Sequence, residues 1–374
     1  RLEYPLIDGV VNGCPSLLLE PQRLNRVTNS DEFTGTLENL TINRNQIISP
    51  DGSLNADRIL NDNGNGEHFV SNGALNPSIV TGTDYVASCF FKSDGTGGQG
   101  VIRTYAGAFI VAIFNLEEGT ISDVTSGSDA KMENYGNGWY RCSLSVTAVA
   151  DYPNTFVQIG IGNSLNQYSY QGTSSLGNYF WGVQFEEGSY PTSYIPTNGA
   201  AVTRAAETAN GAGDATTFND SEGVLMAEIS ALADDGTVRS IAISGSVTND
   251  VVRFYYDGVS NGITAFVYDG AYQSVFTTVV NDITENNKIA FSYKLNEFKL
   301  FINGLQVGFT DTNGAIPNGL DGLKFDNGSG AEDFYGKVKQ LQYYNSALTD
   351  SELEQLTSWL SFTDMANGQL YTIE

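Results

Sequence analysis

Hydrophobic and polar residues alternate with a period of two along most of the chain. Cys142, Leu144 and Val146 are separated by serines, and the run from Tyr179 to Phe185 alternates in the same way. A period of two places successive side chains on opposite faces of a strand, so both runs predict strands with one buried face. Asn-Gly, Asp-Gly and Gly-Ser clusters interrupt such runs about every eight to twelve residues, which is typical of antiparallel hairpins. The sequence therefore predicts an all-β fold.

The first half of the chain contains nine such runs. They span residues 40–42, 56–59, 68–70, 85–91, 101–105, 109–114, 139–146, 155–160 and 179–185. Nine short strands fit two packed antiparallel sheets, so this part of the chain is predicted to form a jelly-roll sandwich.

The second half contains the clearest hairpin. Its two arms alternate, residues 295–297 separate them, and Asn303-Gly304 closes the second arm. Alternation on both sides of a short polar turn is the usual signature of a paired hairpin. The residues predicted to share its buried face are Ile289, Phe291, Tyr293, Phe298, Leu300 and Ile302.

One helix is predicted near the end of the chain. Thr349 and Glu352 have the Thr-x-x-Glu spacing of a capping box, and Leu348 and Leu353 have the spacing of a hydrophobic staple. These signals place the start of the helix at Asp350. The leucines that would form its apolar face are Leu353, Leu356 and Leu360.

The length of the chain predicts more than one domain. At 374 residues it exceeds what one hydrophobic core usually supports. Between residues 198 and 219 the composition shifts to Ala, Thr, Gly and Asn, which is typical of a linker. The sequence thus predicts two tandem antiparallel β-sandwich domains with one short C-terminal helix. The predicted boundaries are a lead-in over 1–26 that packs on the first domain, a jelly roll over 27–203, a linker over 204–222 and a second sandwich over 223–374.

The charge of the chain excludes some partners. Lys and Arg number 18 against 43 Asp and Glu, which gives a formal net charge of −25. Binding to a nucleic-acid backbone is disfavoured because phosphate contacts need a basic stripe, and an anionic membrane surface is disfavoured for the same reason. No apolar run approaches the roughly 18 residues of a transmembrane helix, so membrane insertion is not expected. The acidic excess has two interpretations, solubility at high local copy number or cation binding in loops.

Two acidic or amide-rich loops are candidate calcium sites, although the fold requires no cofactor. The loop that begins at residue 61 has oxygen side chains at alternate positions and a glycine at its sixth position, but Asn72 stands where a glutamate should complete it. Clusters of Asn, Asp and Gly also form ordinary turns, which is the alternative for both loops. The candidate ligands are Asn61, Asn63 and Asn65 in the first loop, and Asp321, Asp326 and Asp333 in the second.

Nothing in the sequence indicates a catalytic site. His68 is the only histidine, no Gly-x-Ser-x-Gly elbow accompanies it, and we interpret it as an ordinary strand or loop residue. Glycosidases of sandwich folds typically carry Glu-x-Asp-x-Glu on one strand face, and that pattern is missing. The pairs Glu117-Glu118 and Glu186-Glu187 are adjacent, so their side chains point to opposite faces or lie in turns. We predict a protein that is not an enzyme.

Two groups of tyrosines are candidates for carbohydrate binding. An aromatic ring stacks on the apolar face of a sugar, and nearby Asn or Asp side chains orient it by hydrogen bonds. Tyrosine is also enriched in strands generally, which is the alternative for each of them. Trp139 and Trp181 alternate with polar neighbours and are predicted to be core residues. The candidate tyrosines are Tyr168 and Tyr170 in a long polar loop, and Tyr255, Tyr256, Tyr268 and Tyr272 at hairpin ends.

Three segments carry a family resemblance. They are the Gly-Trp-Tyr-Arg strand at 138–141, the Trp-Gly-Val-Gln-Phe-Glu-Glu-Gly strand at 181–188 and the Tyr-Ile-Pro-Thr exit at 194–197. In this order they resemble the carbohydrate-binding-like jelly-roll domains of bacteriophage tail fibres and other virion appendages.

The end of the chain resembles a second family. The strand and helix over 338–356, with a Tyr-Asn-Ser-Ala-Leu turn between them, are similar to the ending of laminin-G-like, concanavalin A-like sandwich domains. The strand over 298–304 is similar to the matching internal strand of that family.

The resemblances imply a function in a virion. The expectation is a tail-fibre or capsid-surface protein on the phage particle that binds host-surface glycans without catalysis and contacts other virion proteins. One alternative is a head-fibre or capsid decoration protein with purely structural contacts, and another is an accessory domain of a polysaccharide-active enzyme. A homotrimer is compatible with the phage resemblance, although no coiled-coil or β-helical repeat indicates one.

Overall fold

The computed structural model describes residues 1–4, 6–7, 10–11, 13–73, 75, 78–153, 155–245 and 250–359. The fold is all-β with one short helix in this part of the chain, as the alternation predicts. The strands up to residue 204 are β1 Leu2–Glu3, β2 Leu6–Ile7, β3 Val10–Val11, β4 Ser16–Leu19, β5 Arg23–Asn25, β6 Thr36–Glu38, β7 Leu40–Ile48, β8 Leu54–Asn61, β9 Asn65–Glu67, β10 Phe69–Ser71, β11 Asp84–Ser93, β12 Gln99–Tyr105, β13 Phe109–Asn115, β14 Thr120–Val124, β15 Asp129–Gly136, β16 Trp139–Thr147, β17 Val157–Gly162, β18 Ser169–Gln171, β19 Gly177–Glu187 and β20 Val202–Arg204. The remaining elements are β21 Glu222–Ala231, β22 Arg239–Ser244, β23 Asp250–Tyr256, β24 Gly262–Asp269, β25 Tyr272–Val279, β26 Asn287–Lys294, β27 Glu297–Ile302, β28 Leu305–Gln306, β29 Gly322–Lys324, β30 Gly336–Tyr344 and the helix α1 Asp350–Thr357.

These elements form two compact units. One unit comprises Leu6–Asn12 and Gln22–Ala205, and we call it the N-terminal sandwich. The other comprises Arg1–Pro5, Gly13–Pro21 and Ala206–Glu374, and we call it the C-terminal sandwich.

The N-terminal sandwich has two six-stranded antiparallel sheets. The front sheet has the strand order β14-β13-β12-β17-β10-β6, and the back sheet has the order β15-β16-β11-β19-β8-β7. Inward residues of both sheets, among them Phe91, Phe114 and Phe180, form one buried core. All nine predicted runs lie in or overlap these strands. The edge strands β14 and β15 were not predicted because their side chains are mostly exposed or half-buried, which weakens the apolar alternation.

The Trp-Gly-x-Gln-x-Glu run has a structural role in the N-terminal sandwich. Gln184 Nε2 donates to the Thr192 carbonyl at 3.2 Å, and the Ile195 amide donates to Gln184 Oε1 at 2.8 Å. The Thr192 amide donates to Glu186 Oε2 at 3.0 Å. Burial raises the pKa of Glu186, and the hydrogen bonds from Thr192 oppose that shift. These contacts bind the chain after β19 to the back sheet.

Trp181 is buried as predicted, but it lies with Trp139 and Phe90 in a cluster separate from the main core. Phe180, Val183 and Phe185 contribute to the main core, so both faces of β19 are buried.

The C-terminal sandwich also has two antiparallel sheets. A seven-stranded sheet has the order β1-β4-β30-β21-β26-β27-β28, and a five-stranded sheet has the order β25-β24-β23-β22-β29. The predicted hairpin is β26 and β27, in which Tyr293 lies opposite Phe298 and Lys294 opposite Glu297. Its turn is therefore one residue shorter than predicted. Asn296 adopts a φ of 57° in that turn, which asparagine tolerates better than most residues.

The lead-in differs from the sequence-based expectation. Strand β4 pairs with β30, so that Leu17 lies opposite Val338 and Leu19 opposite Gly336. Leu19 is 2% exposed and belongs to the main core of the C-terminal sandwich. Of the predicted lead-in over 1–26, residues 13–21 thus belong to the second unit, whereas residues 6–12 and 22–26 belong to the first. The physical reason is that β30 offers an unpaired edge, and β4 satisfies its backbone hydrogen bonds while burying apolar side chains.

The helix begins where the sequence predicts. Thr349 is the N-cap, and both hydrogen bonds of the capping box with Glu352 are present. Leu353 is buried, and Leu348 and Leu356 pack against the same apolar cluster. The third predicted leucine, Leu360, lies outside the described residues. Within the described ranges no helix combines the length and apolar character needed to span a bilayer.

Candidate functional site

A single arginine marks the outer face of the front sheet. Arg103 lies on β12, and its inward neighbour Ile102 belongs to the core while Arg103 points the other way. Its guanidinium carbon lies 4.3 Å from the ring centroid of Phe69, 4.9 Å from that of Phe109 and 5.6 Å from that of Tyr168. A planar cation at these distances is attracted by the ring faces. We call Arg103, these three rings and Glu67 the Arg103 face.

The guanidinium of Arg103 forms hydrogen bonds with two polar side chains, those of Glu67 and Gln158. The two terminal guanidinium nitrogens donate to Glu67 Oε1 at 2.6 Å and Oε2 at 2.7 Å, and Nε donates to Gln158 Oε1. Arg103 is 5% exposed, whereas the Glu67 side chain is 38% exposed. A bidentate pair of this kind fixes the plane of the guanidinium, so its donors point in set directions.

Aromatic rings extend the Arg103 face along the sheet. Tyr105 and Phe109 lie opposite each other on β12 and β13, with ring centroids 5.3 Å apart. Phe156 lies 6.1 Å from Phe109, and Tyr152 lies 4.5 Å from Tyr105. Phe109 is 55% exposed, and the other three rings are half-buried. An apolar strip that remains open to solvent on a sheet face is the kind of surface on which a ligand ring stacks.

Local backbone features make room for this arrangement. Phe69 lies opposite Gly160, and a Cβ at residue 160 would stand 2.4 Å from Cδ1 of the Phe69 ring. Strands β9 and β18 pair to form a two-stranded ribbon in which Glu67 lies opposite Ser169. The ribbon brings Glu67 and the adjacent Tyr168 to Arg103.

The sequence did not predict most of this face. Among the residues of the Arg103 face and its aromatic extension, it singled out only Tyr168. Phe109 could have been noticed, because it shares the period-two face of Val111 and Ile113 at the exposed start of a strand. Arg103 carries no local signal, since its three aromatic neighbours come from other strands and from a loop.

Tyr170 belongs to strand β18 of the ribbon and not to the loop that the sequence predicted, and it is half-buried. Its ring stacks on His68 with centroids 4.0 Å apart, and its hydroxyl donates to the Ile161 carbonyl at 3.4 Å. Burial raises the pKa of Tyr170 to about 12. His68 is fully buried and neither ring nitrogen has a hydrogen-bond partner, and burial lowers its pKa. This placement agrees with the interpretation of His68 as an ordinary strand or loop residue.

The five-stranded sheet of the C-terminal sandwich carries a similar arginine. The guanidinium carbon of Arg253 lies 4.2 Å from the ring centroid of Tyr255 and 5.4 Å from that of Phe266. Arg253 forms an ion pair with Glu332, and Ser240 Oγ donates to the same carboxylate at 3.4 Å. Arg253 is 8% exposed, and its Nε has no hydrogen-bond partner.

The tyrosines predicted for this domain divide between the two sides of the sheet. Tyr272 lies 5.1 Å from Phe266 and 5.2 Å from Tyr268 between ring centroids, and it is 66% exposed. Together with Tyr255 these rings and Arg253 form what we call the Arg253 face. Tyr256 points into the core, is 1% exposed and donates to the Ile229 carbonyl at 3.1 Å. The structure thus brings three of the four predicted tyrosines together and separates the fourth, because adjacent strand residues point to opposite faces.

In the first candidate calcium loop, the side-chain oxygen of Asn61 already accepts hydrogen bonds from the backbone. Asn61 is buried, and its Oδ1 accepts from the amides of Ser175 and Leu176 at 3.0 Å each. Asn63 is exposed, and Asn65 begins β9. These placements favour the interpretation of the loop as a turn.

In the second candidate calcium loop, two of the three candidate carboxylates also accept hydrogen bonds from the protein. Asp326 accepts from the Gly328 amide at 2.6 Å and from Asn210 Nδ2 at 2.8 Å, and Asp333 accepts from the Tyr335 hydroxyl at 2.9 Å. Asp321 is half-buried just before β29. Over the described ranges, no group of three or more His, Cys, Asp or Glu side chains is arranged to hold a metal ion. Calcium binding stays a prediction of the sequence.

Comparisons with known proteins give only distant structural similarity. No family model matches the chain, and no curated protein matches it in sequence. One similar solved structure is the CBM40 of the Ruminococcus gnavus IT-sialidase bound to alpha2,3 sialyllactose, at 17% identity over 40% of this chain and 94% of that chain, with a TM-score of 0.33. Another is domains LG4-5 of the mouse laminin alpha1 chain, at 10% identity over 77% of this chain and 89% of that chain, with a TM-score of 0.27.

A third similar structure is a Trypanosoma rangeli sialidase in complex with sialic acid, at 11% identity over 81% of this chain and 60% of that chain, with a TM-score of 0.31. We take no functional conclusion from these three similarities. The function of this chain has to be inferred from the residues of the Arg103 face and the Arg253 face.

Proposed function

We propose that this protein is a non-catalytic glycan-binding protein whose binding surfaces are the Arg103 face and the Arg253 face. The observation that carries the proposal is the Arg103 face, where the guanidinium of an arginine lies 4.3 Å and 4.9 Å from two aromatic ring centroids on the outer face of a sheet. Phe109 leaves more than half of its surface open beside it.

The geometry suits a sugar ring. The exposed face of Phe109 offers an apolar surface for the C–H groups of a pyranose, and the half-buried Tyr168 offers a second ring nearby. Glu67 and the unused guanidinium N–H groups of Arg103 supply an acceptor and donors in fixed positions for sugar hydroxyls. Because both oxygens of Glu67 already accept from Arg103, this carboxylate is suited to binding and not to acid–base catalysis.

The test compares two single substitutions in the N-terminal sandwich. Phe109→Ala removes the exposed ring, and Leu54→Ala removes a similarly exposed apolar side chain from β8 of the back sheet. Binding is measured on a glycan array and by affinity electrophoresis with soluble polysaccharides. We expect Phe109→Ala to weaken binding by about 1–3 kcal/mol, as for loss of an aromatic platform, and Leu54→Ala to leave it unchanged.

Two results would contradict the proposal. One is the failure of the intact chain to bind any glycan, and the other is equal binding by the two variants. Release of oligosaccharides from a bound polysaccharide would instead favour the alternative of a polysaccharide-active enzyme.

We further propose that the chain acts on the surface of a phage particle, where glycans of the host are its partners. The support is the sequence resemblance of the segments at 138–141, 181–188 and 194–197. Electron microscopy of particles labelled with an antibody against this chain tests it. Labelled particles that bind no glycan would favour a head-fibre or decoration role through contacts with other virion proteins.

A further inference from the structure

We infer that the Arg103 face selects uncharged glycans, with Glu67 as the residue that determines this specificity. The inference rests on the proposed function and specifies its ligand class. Arginines near aromatic rings often bind carboxylates, so the charge of this face decides between neutral and acidic sugars.

The positive charge of Arg103 is already compensated. Both terminal nitrogens donate to Glu67, one to each carboxylate oxygen, at 2.6 and 2.7 Å, and Nε donates to Gln158. A glycan carboxylate could gain the same bidentate contact only by displacing Glu67. Displacement would break the Arg103–Glu67 ion pair, in which Arg103 is 5% exposed and the Glu67 side chain is 38% exposed, only to form an equivalent pair, so the exchange brings no net electrostatic gain.

The surrounding strands offer no second cation. Across the six strands of the front sheet and the β9–β18 ribbon, Arg103 is the one basic residue, against the acidic residues Glu38, Glu67 and Asp123. The chain as a whole has a net charge of −25. An acidic polysaccharide therefore approaches a repulsive surface, whereas a neutral one does not.

What remains on the face suits a neutral sugar. The ring of Phe109 is open, and each terminal nitrogen of Arg103 keeps one N–H that the contact with Glu67 does not use. Hydroxyl groups of a sugar can accept from these N–H groups and donate to Glu67, which is 38% exposed along its side chain. Neither contact requires a charge on the ligand.

The experiment uses matched pairs of probes. Neutral glucan, galactan and mannan are each compared with their carboxymethylated derivatives for binding to the intact chain at low and at high salt. We expect the unsubstituted chain to bind at least one neutral probe about tenfold more tightly than its carboxymethylated form. Its binding to the neutral probe should change little with salt, since no net charge is neutralised.

Glu67→Gln releases the charge of Arg103 while keeping the size of the side chain. We expect this variant to bind the carboxymethylated probes about tenfold more tightly than the unsubstituted chain does, with the gain lost at high salt. Glu38→Gln is the matched control. It makes the same change of charge at an exposed residue of β6, opposite Phe69, that forms no ion pair with Arg103, and should give a much smaller gain.

Each outcome bears on the inference. Preference of the unsubstituted chain for a carboxymethylated probe would overturn it while leaving glycan binding intact, and equal gains in the two variants would overturn the role of Glu67. Failure to bind any probe would overturn the proposed function as well. Should Glu67→Gln fail to fold, the preference and salt response of the unsubstituted chain still decide the ligand class.

Discussion

Arg103 and His68 show how position in the sheet determines the role of a residue. Arg103 is almost fully buried, and its charge is stabilised by Glu67 and by the rings on either side. His68, one residue after Glu67 in the chain, is fully buried, and neither of its ring nitrogens has a hydrogen-bond partner. Arg103 is therefore stable as an ion, whereas burial favours the neutral ring of His68, because the low-polarity interior disfavours a charge that lacks a partner.

The buried His68 predicts a pH dependence of stability. Burial lowers its pKa in the folded chain below 6.5, the usual value for histidine, while the nearby Asp62 carboxylate opposes that shift. As pH falls through about 6.5 the unfolded chain binds a proton that the folded chain does not bind, so stability is lost on acidification. The free energy of unfolding of the N-terminal sandwich should fall between pH 7.5 and 5.5, by no more than about 1.4 kcal/mol per pH unit from this group.

His68→Phe is the control for this effect, because phenylalanine can keep the stacking on Tyr170 and cannot be protonated. Urea denaturation of both chains at several pH values gives the comparison. A parallel decrease of stability in the two chains would show that other groups, and not His68, cause the dependence.

At the scale of elements, the helix α1 and the strand β4 are attached to the C-terminal sandwich by different kinds of contact. The helix α1 begins at a capping box, and its buried Leu353 packs with Val224 and Phe301. Strand β4 instead adds to the edge of β30 through backbone pairing. The capping signal is local and readable in the sequence, whereas the pairing of β4 joins residues more than 300 positions apart.

Loss of the N-cap should destabilise the helix by a measurable amount. In Thr349→Ala the amide of Glu352 loses its side-chain acceptor, which typically costs about 0.5–2 kcal/mol. Hydrogen exchange of the amides in α1 should accelerate accordingly. Ser351→Ala, two residues later and exposed, should leave the exchange rates unchanged or slow them, since alanine favours a helix. Equal acceleration in both variants would exclude the cap as the cause.

At the scale of the whole molecule, the two units are interleaved along the chain. Gly13–Pro21 lies in the chain between the two stretches of the N-terminal sandwich, Leu6–Asn12 and Gln22–Ala205, but belongs with Ala206–Glu374 to the C-terminal sandwich. Leu19 fills part of the main core of that sandwich, and its removal leaves a cavity. The second domain therefore depends on a segment that lies, in the chain, between two stretches of the first.

This dependence predicts the behaviour of fragments. A fragment of residues 206–374 should be less stable than the same domain in the full chain, by more than the about 2–5 kcal/mol typical of a single Leu→Ala core substitution. Adding a peptide of residues 13–21 should restore part of that stability, and the same peptide with serine at positions 17 and 19 should not. Hydrogen exchange at increasing denaturant concentrations measures the stability of the fragment with and without each peptide. Full stability of the fragment alone would contradict the role of β4.

The sequence alone determined the class of fold and the local elements of this protein. Period-two alternation predicted the strands, and the spacing of Thr349 and Glu352 predicted the start of the helix, because both signals depend on residues that are close in the chain. The alternation also placed Trp181 in a buried environment. It did not predict the edge strands β14 and β15, where little apolar surface is buried.

Only the tertiary structure decided which residues meet. Arg103 contacts Phe69, Phe109 and Tyr168 because four separate segments converge on one side of the front sheet. Tyr255 faces outward and Tyr256 inward because of the register of β23, and β4 joins the second sandwich because β30 has a free edge. Such pairings depend on the packing of distant segments, and no local pattern of side chains encodes them.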